Sequence, residues 1–305
     1  MKLNHKHTKK KAQHYVPRFY LQYFIDKNKF DYEQDFLWIF ERPKKIPFRK
    51  SPKNIAFVNY FYSFQLENKY NYVIEDMISK IENDVQNIFK EIINDTADFT
   101  KDINREILST FICLMNYRTI KSKEVFKIFF QNYIKSKFIE NINNEGFKIK
   151  YKRYLQETGK EELEVPTGSE FVNVFNKLEI TTTQEDRLKM MLEMTKKMIP
   201  YVYQRNWTLL IPKEDNRFFI TSDNPVLFYN KNINNQNYMP GYAVSDTDII
   251  FPISPKHCLY ISYNTKEVIQ KILTCNVISL NQKIANNCHK YVFSNIDKYN
   301  ILFSH

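Results

Sequence analysis

The chain has 305 residues, of which 43% are hydrophobic and 16% aromatic, enough apolar material for a large core, which excludes a largely disordered chain. Only 4 residues are glycine, and neither the G-x-G-x-x-G nor the P-loop pattern occurs, which excludes the dinucleotide-binding and P-loop classes. The formal net charge of +11 comes mainly from lysine rather than arginine, the better reader of phosphates, so it points only weakly to nucleic acid.

The N-terminal region predicts a tail, a short helix and two strands. Residues 1–12 are basic and polar and predict a flexible tail, with order beginning at Gln13. Pro17 suits the first turn of a helix whose apolar face is supplied by residues 19–24. Aromatic and β-branched residues predict strands at 36–40 and 58–64.

The middle of the chain is predicted to be helical. Apolar residues recur every three or four positions along 71–94, which is typical of an amphipathic helix. Further helices are predicted at 103–117, 120–140 and 184–205. Residues 141–168 are polar and contain N-N-E-G and V-P-T-G, which predicts a loop or a short excursion of the chain.

The C-terminal region is rich in predicted strands, and an Asn-rich loop is predicted at 230–241. The strands are expected at 207–211, 218–221, 226–229, 249–253, 258–262 and 291–294, with a helix at 276–287. Strands at both ends and a helical middle (about 71–205) predict an α+β fold. In it, a mixed or antiparallel sheet of N-terminal and C-terminal strands packs against the central helices. We expect one domain over residues 13–305.

The cysteines and the apolar segments bear on location. Cys113, Cys258, Cys275 and Cys288 form no C-x-x-C pair, which argues against a zinc site or a disulfide framework and makes the cytoplasm the expected location. Cys113 lies in an apolar helical run, which predicts a buried thiol. No stretch reaches about 18 apolar residues and no signal-peptide core is present, so no membrane partner is expected.

Arg118 is the most informative charged residue. It lies four residues beyond Leu114 and seven beyond Phe111, over the apolar stripe of the predicted helix at 103–117. It therefore either reaches solvent at the helix end or is buried and paired with a carboxylate or a bound anion. Glu75 and Glu82 lie at the border of the apolar stripe of their own helix. They either reach water, or one of them supplies that carboxylate, or both line a polar pocket able to bind a metal ion.

A polar turn and a histidine complete the candidate set. Thr221, Ser222, Asp223 and Asn224 follow an apolar strand, where they either build a site at the sheet rim or form an Asx-turn. His14 opens the ordered region as a base, a ligand or a packed imidazole. No H-E-x-x-H or G-x-S-x-G pattern occurs.

Several short motifs occur together in a fixed order along almost the whole chain. They are H-Y-V-P-R-F-Y-L at 14–21, N-I-A at 54–56, I-E at 74–75, N-Y-R-T at 116–119, T-S-D-N-P at 221–225, F-P-I-S at 251–254 and Y-V-F-S at 291–294. This ordered set resembles the bacterial family described as domain of unknown function 4238, which opens on HYVP. The resemblance assigns no activity, but it implies that His14, Glu75, Arg118 and Asp223 are the emphasised positions.

Three functions follow as hypotheses. The first is a nuclease-like hydrolase in phage defence, whose catalytic residues are His14, Arg118 and Asp223. In this hypothesis a nucleic acid or another phosphate-bearing ligand is bound by Arg18, Thr221, Ser222 and Asn224. Mg²⁺ or Mn²⁺ is held by Glu75 and Glu82. The second is a non-enzymatic ligand-binding or effector module whose His, Arg and Asp side chains form a structural polar network. The third is a basic adaptor that binds nucleic acid without cutting it.

Overall fold

The computed structural model describes the chain with short gaps. The residues described are 11–27, 35–44, 46–99, 102–142, 145–160, 173, 177, 181–230 and 241–303. Most of the predicted tail and of the Asn-rich loop therefore lie outside the described residues. The chain divides into two compact units, one formed by 1–122 with 188–305 and the other by 123–187. The expectation of a single domain over 13–305 stays a prediction.

The helices follow the predicted order. They are α1 (Arg18–Leu21), α2 (Val73–Ile93), α3 (Asp102–Tyr117), α4 (Ile120–Ile142), α5 (Glu145–Glu157), α6 (Gln184–Tyr203), α7 (Thr274–Asn287) and α8 (Tyr299–Phe303). The second unit contains most of α4 and all of α5. Within the described residues, no helix combines the length and the hydrophobicity needed to cross a bilayer. The cytoplasmic location stays a prediction.

The strands form two larger sheets and two small pairs, which confirms the α+β class. The strands are β1 (Ala12–His14), β2 (Leu37–Glu41), β3 (Phe48–Lys50), β4 (Phe57–Asn59), β5 (Phe64–Leu66), β6 (Lys69–Asn71), β7 (Asn206–Pro212), β8 (Thr221–Ser222), β9 (Leu227–Asn230), β10 (Thr247–Ser254), β11 (His257–Ser262), β12 (Val268–Ile272) and β13 (Tyr291–Ser294). A four-stranded sheet in the order β3-β2-β13-β8 joins N-terminal to C-terminal strands, as predicted. A five-stranded sheet, β12-β7-β11-β10-β9, contains C-terminal strands alone.

The five-stranded sheet separates two apolar clusters because successive side chains point to opposite faces. On one face Leu209, Ile249 and Phe251 join the larger core, which also contains the buried residues of α2 and α3. On the other face Leu210 and Ile250 pack with the apolar side of α7. Each face is thus covered by apolar side chains, and the two clusters hold most of the buried hydrophobic residues of the first unit.

Three predictions of local structure differ from the structure. The strand expected at 58–64 is broken, because Tyr60 has a left-handed backbone (φ 56°) and a turn separates β4 from β5. The loop expected at 141–168 contains α5, whose Phe147 and Tyr151 stack one helical turn apart at 6.2 Å between ring centroids. The strand expected at 218–221 shortens to the two residues of β8.

Candidate functional site

A polar cavity of about 380 Å³ lies where the N-terminal strand meets α2. His14 is the last residue of β1, and the pairing of β1 with β4 places Phe57 opposite His14. Helix α2 contributes Glu75, Ser79 and Glu82, which are spaced four and three residues apart and therefore share one face. The segment before β4 and the start of α1 complete the wall.

The His14 ring is the most unusual group in the cavity. Its Nε2 atom is buried and has no hydrogen-bond partner among the described residues. Burial lowers the pKa of His14 below its usual value, and backbone hydrogen bonds at Lys53 and Pro52 and the charge of Glu82 offset only part of this effect. The lowered pKa favours the neutral imidazole at pH 7, and the Nε2 atom of that ring has no hydrogen-bond partner among the described residues.

Arg118 lies directly behind His14 and is buried, with 2% of its side chain exposed. Its three guanidinium nitrogens donate to Glu82 Oε1 (2.7 Å), the His14 carbonyl oxygen (2.6 Å) and Tyr62 Oη (3.0 Å). The Tyr62 hydroxyl in turn donates to the Arg118 carbonyl oxygen at 3.2 Å. Of the two alternatives that the sequence left open for Arg118, the structure shows the buried, paired one.

The charge of Arg118 is held within this network. Burial alone would lower the pKa of Arg118, but Tyr62 and Glu82 more than offset that effect and raise it. The guanidinium is thus a permanent cation, already paired with a carboxylate. Its hydrogen bond to His14 is accepted by the backbone carbonyl oxygen, which means that Arg118 fixes the position of the His14 backbone.

Two further cations line the cavity from its exposed side. Arg18, on α1, and Lys53, in the short 3₁₀ turn Pro52–Asn54, are both exposed. In the part of the chain that the structure describes, no carboxylate pairs with either side chain. Arg18 was predicted to bind substrate, and its placement beside His14 is compatible with that role.

Asp223 lies outside the cavity and is buried. Its Oδ1 accepts the backbone N–H of His289 (2.8 Å), and its Oδ2 accepts those of Lys290 (2.7 Å) and Tyr291 (2.9 Å). Burial raises the pKa of Asp223 above its usual value, against the effect of these three donors. The carboxylate therefore fixes the chain that enters β13, a structural use of the predicted polar turn.

The neighbours of Asp223 are also engaged in internal contacts. The Thr221 hydroxyl lies 2.6 Å from Tyr20 Oη, and Ser222 Oγ accepts the backbone N–H of Asn224 at 3.2 Å. Asn224 Oδ1 accepts the hydroxyl of Thr119 at 3.1 Å, which joins this turn to the residue after Arg118. The turn is thus bonded to the residues that follow α3, and none of its residues lines the His14 cavity.

The family comparison agrees with the order of the motifs. The model of the family described as Protein of unknown function (DUF4238) matches residues 12–298. The chain belongs to this family. Neither a curated protein nor a solved structure matches it.

For this DUF4238 chain, the predicted site residues fall into two groups. His14, Arg18, Glu75, Glu82 and Arg118 line one cavity. Asp223 and its three polar neighbours form a separate, buried turn. Their functional roles stay predictions, because the geometry gives their positions and contacts alone.

Sequence reasoning missed three residues of the DUF4238 site. Ser79 could have been found, because it lies between Glu75 and Glu82 on the same helical face. Lys53 precedes the N-I-A motif and had no signal of its own. Tyr62, which bridges Arg118 and the backbone of His14, was read as part of a strand, so its hydroxyl was not considered.

The arrangement of the carboxylates bears on metal binding. Within the described residues, no group of three or more His, Cys, Asp or Glu side chains is arranged to hold a metal ion. Glu82 is 2.7 Å from Arg118, which already neutralises its charge. The expected role of Glu75 and Glu82 with Mg²⁺ or Mn²⁺ stays a prediction, and no chemical step is assigned to a metal below.

Proposed function

We propose that this protein is a hydrolase of phosphodiester bonds in nucleic acid, with His14 as the general base. The observation that carries the proposal is His14, which lines a polar cavity together with the exposed cations Arg18 and Lys53 and whose buried Nε2 atom has no hydrogen-bond partner among the described residues. A neutral imidazole and two cations are what the attack of water on a phosphate diester needs.

The chemistry uses residues that the cavity already brings together. Neutral His14 takes a proton from the attacking water while the water oxygen bonds to phosphorus and the bond to the leaving oxygen breaks. The resulting imidazolium then returns the proton to the leaving oxygen. Arg18 and Lys53 bind the phosphate oxygens and stabilise the charge that develops on them. Arg118 acts as a positioning residue, through the His14 backbone.

Exposed aromatic rings on β4 and β6 favour a single-stranded substrate. Phe57 lines the cavity, is 39% exposed, and its ring lies 5.6 Å from that of His14. Three residues further on, Tyr60 stacks on Tyr70 with centroids 4.0 Å apart, and Tyr70 is also 39% exposed. Such rings bind unpaired bases by stacking, and the net charge of +11 attracts the backbone.

The test is cleavage of labelled single-stranded RNA and DNA by the purified full chain, with Mg²⁺, with Mn²⁺ and with a chelator. We expect cleavage by the wild type and at least a 100-fold lower kcat for His14→Gln. His289→Gln, which changes an exposed histidine away from the cavity, is the matched control and should retain full activity. Equal cleavage by His14→Gln and the wild type, or no cleavage under any condition, would overturn the proposal.

One observation favours a second function, a non-enzymatic module that binds a small anion. The Arg118 network is closed and buried, as expected of a structural polar network. In this case inorganic phosphate or an oligonucleotide binds in the cavity without turnover, and Arg18→Gln weakens binding. Titration calorimetry with both ligands, run beside the cleavage assay, separates binding from catalysis.

A further inference from the structure

A second cavity, of about 320 Å³, lies on the opposite side of the five-stranded sheet from the larger core, under α7. Every strand of that sheet contributes at least one lining residue, and α7 contributes four that are spaced as one helical face. None of its lining residues is shared with the His14 cavity. Its volume lies at the lower end of the range for small-molecule sites, which is roughly 300–1,000 Å³.

The floor of this cavity is apolar and two of its walls are aromatic. Leu210, Ile250 and Ile272 supply the aliphatic surface, and Tyr229 and Tyr260 stand on strands either side of β10. The hydroxyl of Tyr260 donates to the buried carboxylate of Asp248. Because that contact occupies the hydroxyl, Tyr260 presents mainly its ring to the cavity, and a planar ring is the shape that fits against it.

A half-buried cation stands at one side of the same cavity. Lys283, on α7, has its Nζ 4.5 Å from the centroid of the Tyr229 ring and donates to Ser279 Oγ at 2.9 Å. Within the described part of the chain, no carboxylate pairs with Lys283. A cation that rests on an aromatic face and has no anionic partner is suited to bind the acidic group of a ligand.

Polar side chains that line the cavity can orient a ligand by hydrogen bonds. Gln270 and Asn276 supply amides, and Thr265 also lines the cavity. The Thr265 Oγ1 atom is buried and has no hydrogen-bond partner among the described residues. A buried hydroxyl without a partner is costly, so a hydrogen-bonding ligand or water in this cavity would satisfy it.

We propose that this cavity binds a small planar ring compound that carries one acidic group, either a carboxylate or a phosphate. The ring packs between Tyr229 and Tyr260 on the aliphatic floor, and the acidic group pairs with Lys283. This site is independent of the hydrolase proposal, because the two cavities share no residue.

The test uses two anionic ring compounds and their neutral counterparts as probes: anthranilate with aniline, and adenosine monophosphate with adenosine. Binding to the full chain is measured by titration calorimetry and by protection from thermal unfolding. We expect at least one anionic probe to bind, about tenfold more tightly than its neutral counterpart. Binding of anthranilate would indicate a carboxylate ligand, and binding of adenosine monophosphate would indicate a phosphate ligand.

Three variants test which residues bind the probes, and a fourth is the control. Lys283→Gln should weaken the anionic probe about tenfold and leave the neutral one unchanged, whereas Lys283→Arg should retain the preference. Tyr229→Leu should weaken both probes. Lys271→Gln, an exposed lysine on β12, is the matched control and should bind as the wild type does.

Two results would overturn this inference: no binding of any probe at millimolar concentration, or equal binding of the anionic probe by Lys283→Gln and wild type. His14→Gln should bind the probes normally, so a failure of the hydrolase proposal leaves this measurement intact.

Discussion

Replacing Arg118 by methionine removes a buried charge while keeping an unbranched side chain in place of the aliphatic part of arginine. The substitution leaves the Glu82 carboxylate, the Tyr62 hydroxyl and the His14 carbonyl without their shared donor. Breaking a buried ion pair by removing one partner costs about 3–5 kcal/mol. Because 22% of the Glu82 side chain is exposed, water replaces part of the lost contact, and we expect a loss of about 2–4 kcal/mol.

The assay is thermal and urea unfolding of the variant and the wild type. With about 2–4 °C per kcal/mol for a unit of 150–250 residues, the midpoint temperature should fall by roughly 5–15 °C. Arg18→Met is the matched control, because Arg18 is an exposed arginine of the same cavity, and its stability should change by no more than about 0.5 kcal/mol.

A double variant separates charge from packing. In Arg118→Met with Glu82→Leu no charge is left without a partner, so part of the lost stability should return. Equal stability of Arg118→Met and Arg18→Met would refute the inference that Arg118 is held in a buried network. A double variant no more stable than Arg118→Met would show that the loss comes from packing.

Three further predictions concern pH, the buried turn and the aromatic surface. Burial lowers the pKa of both His14 and His257, so the unfolded chain binds more protons than the folded one below about pH 6.5. The free energy of unfolding should therefore fall as the pH drops through that range. In urea titrations, His14→Gln and His257→Gln should each make this dependence on pH less steep. Asp223→Asn places an amide against backbone N–H donors, and unfolding should require about 2–4 kcal/mol less; an unchanged midpoint would contradict the structural role of the turn. Tyr70→Ala should weaken the binding of single-stranded oligonucleotides roughly tenfold in fluorescence anisotropy, and no change would remove this ring from the proposed surface.

Strong periodicity made the long elements predictable. Helix α2 was expected at 71–94 and spans Val73–Ile93, because its buried residues recur every three or four positions. The same argument predicted α3 and the buried thiol of Cys113, which is free and 0% exposed. It also placed Arg118 over the apolar stripe, which is why a buried ion pair could be considered before its partner was known.

Other features depend on contacts that a linear sequence does not contain. Helix α5 has a polar sequence with a glycine near its start, and its helical state is favoured by stacked aromatic side chains that the turn-like motifs concealed. Asp223 was predicted to be catalytic because it follows a strand, and that role stays a prediction. The three backbone amides that surround its carboxylate come from residues 289–291. Such a long-range partner could not be identified without the fold.

The contacts of the motif residues distinguish those that hold the fold together from the one that is proposed to react with the substrate. Arg118, Tyr62 and Thr119 are buried and bonded to one another or to the 221–225 turn, so they fix where the N-terminal strand, the end of α3 and that turn meet. His14 has a contact of each kind, because its carbonyl accepts from Arg118 while its side chain lines the cavity and carries a buried Nε2 atom without a partner among the described residues. A buried frame that holds the backbone of a neutral imidazole is what a positioned general base requires. The closed Arg118 network is therefore compatible with catalysis, provided that His14, and not Arg118, meets the substrate.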